Sequence, residues 1–160
     1  MISSNEIHQA RPLRADVLVR DQNGWPVAIV EVKNRPGLSS EDAASIRRNM
    51  LVHGLASQDV PFFLVVSQDS GYLWNQLPRQ FPDEAAPVEF PMQPVLSHYV
   101  RWLVPGGRIS GSSLEFVVAN WLTDLSIDNG PALREIRDQL APTGFLEAVE
   151  GATVTLNERT

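Results

Sequence analysis

Alternating and unbroken apolar runs mark out strands in the first half of the chain. Arg14–Arg20 and Val27–Lys33 are rich in β-branched residues and flank Asn23-Gly24. Such a pair is a strong hairpin signal because both residues tolerate positive φ. With the turn at Asn23-Gly24, in a two- or four-residue loop, Gln22 faces Trp25, Arg20 faces Val27, Leu18 faces Ile29 and Asp16 faces Glu31. Side chains alternate along a strand, so Asp16, Glu31 and Lys33 project from one face. The breaker cluster Asn34-Arg35-Pro36-Gly37 follows, and Ser39 with Asp42 three residues on reads as a helix N-cap. The pattern predicts a helix from Ser40 to about Leu55, with Ala43, Ile46, Met50, Leu51 and Leu55 as its apolar stripe. Arg47, Arg48 and His53 fall mostly off that stripe. Val60–Ser67 reads as a strand buried on both faces, Gln68–Gly71 as a turn and Tyr72–Asn75 as a returning strand. A helix between the second and third strands allows a parallel crossover there.

The second half is patterned differently. Five prolines between residues 76 and 94 predict a surface arm without regular structure, a candidate contact segment. Val95–Leu103 reads as helical, ended by Pro105-Gly106-Gly107. Ser112 or Ser113 can cap a further helix to about Leu125, buried along Leu114, Val117, Val118, Trp121 and Leu122. Pro131 opens a helix reaching about Leu140, followed by a short helix at Gly144–Val149 and an exposed strand at Ala152–Leu156. A short helix around Asn5–Gln9, closed before Pro12, begins the chain.

Composition narrows the chemistry. The chain has no cysteine, which removes disulfides, thiolate metal sites and cysteine nucleophiles. With no signal peptide and no apolar run of membrane-spanning length, a cytoplasmic protein without a membrane partner is expected. The net charge of −6 opposes indiscriminate nucleic-acid binding, but it is unevenly spread. Residues 1–50 hold seven Lys or Arg against six acids, and residues 51–160 hold six against thirteen. A phosphate-facing patch on an acidic body is compatible with that split, with Arg14, Arg35, Arg47 and Arg48 as candidate nucleic-acid contacts.

The predicted pairing of Asp16 with Glu31 is electrostatically costly, because directly opposed like charges repel. A divalent cation would relieve it, and hard oxygen ligands of this kind suit Mg²⁺ or Mn²⁺. A shared proton, or neutralisation by Arg14 and Lys33, is the other reading. Asp16, followed after a strand and turn by Glu31-Val32-Lys33 and then a helix and a buried strand, resembles the PD-(D/E)xK nuclease superfamily. The run Ala28-Ile29-Val30 into Glu31-Val32-Lys33-Asn34 is similar to the N-terminal nuclease domain of type I restriction motor subunits. The likeness covers about residues 1–75. It implies a restriction-endonuclease-like fold in which Asp16, Glu31 and the Val32 carbonyl bind the metal and Lys33 orients or activates the attacking water. Glu6 is the candidate for an extra acid on a first helix.

Other polar and aromatic positions have simpler readings. His53 fits a structural histidine better than a general base, Trp25 and Trp74 fit packing, and His98, Tyr99 and Trp102 fit the core and rim of a helix. Pro105-Gly106-Gly107-Arg108 lacks the spacing of a phosphate loop. The expectation is an α/β protein with a mixed sheet of four or five strands flanked by helices. It comprises a nuclease-like core at 1–75, a proline-rich arm at 76–94 and a mainly helical part at 95–160 on the same domain. The expected activity is metal-dependent phosphodiester hydrolysis, endo- or exonucleolytic, on DNA. The alternative is an inactive nuclease-fold module that binds protein or nucleic acid, and a homodimer or a larger restriction or repair assembly fits either.

Overall fold

The computed structural model describes residues 14–79, 85–104, 106–128 and 134–159. The short N-terminal helix, Glu6 and Pro131 lie outside these. Six strands form one mixed sheet: β1 (Arg14–Arg20), β2 (Pro26–Val32), β3 (Phe62–Val66), β4 (Ser70–Asn75), β5 (Val88–Pro91) and β6 (Thr153–Arg159), in the order β5-β4-β3-β2-β1-β6. Five α-helices lie among the described residues: α1 (Ser40–Val52), α2 (Gln93–Tyr99), α3 (Gly111–Asp128), α4 (Arg134–Leu140) and α5 (Phe145–Val149). None is long and apolar enough to cross a membrane.

Strands β2 and β3 are parallel, joined through α1, and every other neighbouring pair is antiparallel. Both faces of the central strands are covered. Leu18, Ile29, Phe63, Val65, Tyr72 and Trp74 pack with Ala43 and Met50 of α1 in one layer. Val17, Val19, Val30, Val32, Leu64 and Val66 pack with residues of α2 to α5 in the other. The unbroken apolar run of β3 is therefore buried at all five positions.

Helix α1 starts where Ser39 and Asp42 predict. The Ser39 hydroxyl accepts from the Asp42 N–H at 3.1 Å, and the Asp42 carboxylate accepts from the Ser39 N–H at 3.1 Å. The helix stops at Val52 rather than Leu55, because the N–H groups of Leu55 and Ala56 both turn back to the Met50 carbonyl. Four other expectations are corrected. The proline-rich stretch contributes β5, a four-residue edge strand on β4. Its short length and terminal Pro91 suit an edge, where a missing N–H costs least. Helix α2 ends at Tyr99, so Trp102 lies in the loop beyond it and is 76% exposed. Helix α3 is capped by Ser110, whose hydroxyl accepts from the Ser113 N–H at 3.1 Å, rather than by Ser112 or Ser113. The last strand is longer than predicted and lies along β1, adding a sixth strand to the sheet.

The hairpin contains two departures that cancel. Gln22 and Asn23 occupy the centre of the turn, the Gly24 N–H closes onto the Asp21 carbonyl at 3.0 Å, and Gly24 takes φ 84°. This is a three-residue loop with a left-handed glycine in third place, so Arg20 pairs with Pro26 rather than Val27. A bulge at Val27 then restores the predicted register, and Val19, Leu18 and Val17 face Ala28, Ile29 and Val30. Asp21 organises the loop: its carboxylate accepts from the N–H groups of Asn23 at 2.9 Å and Trp25 at 3.0 Å. Asp21→Ala is expected to cost about 1 kcal/mol, as loss of a capping side chain does, visible as a lowered urea midpoint at unchanged slope.

Candidate active site

Asp16 lies one residue beyond the last paired positions of the hairpin, Val17 and Val30. There the β1 backbone turns toward α1, with the Arg14 N–H donating to the Leu55 carbonyl at 3.0 Å. The Val32 N–H donates to Asp16 Oδ2 at 2.8 Å, so a carboxylate rather than a β1 carbonyl ends the ladder. Glu31 is on the same face as Ile29 and opposite Val65 of β3, which places it on the α1 side beside Asp16. Lys33 follows on that face, held by its N–H to the Val66 carbonyl at 2.8 Å, and its Nζ lies 3.1 Å from Glu31 Oε1. The hairpin, the parallel β2–β3 pair and the alternation of the strand thus bring Asp16, Glu31 and Lys33 together at one end of the sheet.

The electrostatics match the crowding. Glu31 is largely buried, with its side chain 14% exposed. Burial and then the Asp16 carboxylate push its pKa above the usual carboxylate range; the Lys33 ammonium pulls the other way without cancelling them. Among the described residues no group of three or more His, Cys, Asp and Glu gathers around one point. A cation here would rest on the two carboxylates, the Val32 carbonyl and water. Two hard anionic ligands with a retained water shell fit Mg²⁺ or Mn²⁺, which bind through one or two carboxylates.

The other candidates separate. Arg14, Arg35 and Arg48 are exposed. Arg35 reaches Asp42 at 3.9 Å and Arg48 donates to Ser45 Oγ at 3.0 Å. Arg47 is not on an outer face: it is 5% exposed, donating from Nε at 3.0 Å and Nη2 at 2.9 Å to Gln76 Oε1. Its guanidinium sits 5.5 Å from the Trp74 ring centre, so its charge serves the fold rather than a phosphate. His53 is exposed just beyond α1, and Trp74 is core, whereas Trp25 is 69% exposed on the hairpin loop.

Sequence reading missed what surrounds the end of β2. Asn34, the residue after Lys33, donates from Nδ2 to the Ile109 carbonyl at 2.8 Å. Gln68, after β3, accepts from the Ile109 N–H at 3.0 Å and donates to the Gly107 carbonyl. Arg108 spans both oxygens of Asp69 at 3.2 Å and approaches Asn34 Oδ1 at 3.5 Å. These contacts fasten the loop before α3 to the strand ends that carry Lys33. They join residues about forty to seventy-five apart in the chain, so no local pattern announces them. Comparison of the chain with protein-family models, curated proteins and solved structures finds no match.

Proposed function

We propose that the chain is a Mg²⁺- or Mn²⁺-dependent phosphodiesterase acting on DNA, with the restriction-endonuclease-like architecture of the family it resembles. The observation that carries this reading is the meeting of Asp16, Glu31 and Lys33 on one face, with burial and then the neighbouring Asp16 holding the Glu31 carboxyl against ionisation. A dication held there would neutralise charge developing on the phosphate and lower the pKa of a bound water. The residues supply the rest. The Val32 N–H fixes the Asp16 carboxylate, and Asp16 with Glu31 presents two adjacent carboxyl groups. Lys33 offers a compact cation beside the reacting group, held by its strand and its contact to Glu31.

The second reading, a nuclease-fold module without catalysis, is favoured by the same contacts taken alone. Lys33 already pairs with Glu31, and the Val32 N–H already serves Asp16, so the acids are partly compensated without a metal. One assay separates the two. Plasmid, linear and single-stranded DNA are incubated with Mn²⁺ and either wild-type protein or Lys33→Ala. Cleavage that falls at least roughly a hundredfold in the variant, at unchanged melting temperature, supports the enzyme. Equal products from both proteins, or none from either, overturn it.

A further inference from the structure

The loop between α2 and α3 carries an unexplained exposed aromatic. Trp102 is 76% and Val104 67% exposed, and neither belongs to either core layer. Yet the loop is anchored. The Gly107 N–H closes onto the Val104 carbonyl at 2.8 Å, and the Leu103 N–H onto that of Val100 at 3.1 Å. Leu103 packs so closely on Gly107 that a Cβ there would lie 2.8 Å from its Cδ1. Gly107, Arg108 and Ile109 are in turn tied to Gln68, Asp69 and Asn34, the last adjacent to Lys33. Trp102 is thus an exposed ring on a loop whose far end, Gly107–Ile109, is fastened to the ends of β2 and β3. Arg101 and Arg108 are the charged residues of the loop, both exposed and both basic, on a chain whose net charge is −6.

An exposed indole with an exposed arginine next to it in the chain, Arg101, suits unpaired bases: rings stack on a base face, and arginines track the phosphates. In a duplex those faces are buried in the base stack. Resting on the phosphodiesterase reading, we propose that the loop after α2 holds single-stranded DNA at the end of the sheet, with Trp102 stacked on a base and Arg101, its exposed neighbour, on a phosphate. The substrate class is then a single strand or a frayed strand end rather than an intact duplex.

The test measures binding alone. Fluorescence anisotropy of a labelled twenty-nucleotide oligo-dT, a matching oligoribonucleotide and a twenty-base-pair duplex, about 20 units each as a typical probe size for one such site, is recorded in EDTA. Proteins are wild type, Trp102→Ala, Arg101→Ala and Arg101→Lys. Trp102→Ala is expected to weaken oligo-dT binding roughly tenfold and leave the duplex unchanged. Arg101→Ala is expected to flatten the salt dependence of log K by about 0.7, and Arg101→Lys to retain it. A merely structural arginine would not move that slope. Unchanged oligo-dT affinity in Trp102→Ala, equal weakening of single strand and duplex, a preference for the oligoribonucleotide, or no binding by wild type overturns the proposal. No cleavage occurs in EDTA, so an inactive protein can still bind as described. A nuclease indifferent to Trp102 would instead remove this inference alone.

Discussion

Glu31→Gln is expected to abolish Mn²⁺-dependent cleavage and yet to melt higher than wild type at neutral pH. The activity loss follows from removing one of two anionic ligands, which forfeits several kcal/mol of transition-state stabilisation, roughly a thousandfold in rate. The stability gain follows from the sign of the pKa change. In the folded protein burial and then Asp16 hold the Glu31 pKa above that of an ordinary glutamate carboxyl. Between the unfolded and folded values the native state keeps a proton that the unfolded chain has released, so stability falls as pH rises through that window. Above the folded value the ionised pair costs a constant amount. Glutamine cannot ionise, so the melting-temperature difference, variant minus wild type, should grow with pH from about 4 and then level off. Melts in EDTA at several pH values check this. Mn²⁺ should then raise the wild-type melting temperature, more strongly as pH rises and the carboxyl gives up its proton, and leave the variant unmoved. A variant that melts below wild type at pH 8 would show that the Lys33 contact outweighs the repulsion.

How far the sequence leads to this site is instructive because one step is right for an incomplete reason. A turn at Asn23-Gly24 between the runs Arg14–Arg20 and Val27–Lys33 predicts the pairing of Leu18 with Ile29, and that pairing is present. The turn is not the one predicted: Asp21 recruits two backbone N–H groups and moves the centre to Gln22-Asn23. Only the Val27 bulge brings the acids back beside each other. Local signals name the residues of a hairpin, but loop and bulge are chosen together by what Val27 and Ala28 bury, and that is a tertiary matter.

The same boundary runs through the rest of the chain. Capping of α1 is legible because it is made within four residues. The buried face of α3 is legible because Leu114, Val117, Val118, Trp121 and Leu122 keep the helical period. The strand Val88–Pro91 is not, since Pro91 and the prolines around it argue against pairing and only the open edge of β4 makes it a strand. Trp102 reads as helix rim by spacing, but α2 stops at Tyr99, and so an aromatic that looks like packing stands in solvent.

Arg47 gives the sharpest case and a prediction of comparable size. Its place on the polar side of a predicted helix suggests a phosphate contact, but the end of β4 brings Gln76, 5% exposed, against it. Gln76 is fully used: Oε1 accepts twice from Arg47, Nε2 donates to the Ser57 carbonyl at 3.0 Å and the Val60 carbonyl at 2.7 Å, and its own N–H donates to Pro61 at 2.7 Å. Gln76→Leu keeps the last of these and removes the rest. A buried cation loses an acceptor and two carbonyls lose a donor, a change expected to cost about 3 kcal/mol. For a chain of this size that lowers the melting temperature by roughly 6–12 °C. Arg47→Met in the same background should recover part of the loss, because it takes away the charge whose acceptor is missing. If Arg47 instead acted on nucleic acid, Arg47→Met alone would flatten the salt dependence of oligonucleotide binding at unchanged stability. The buried geometry predicts the reverse: a lowered melting temperature with the salt dependence intact.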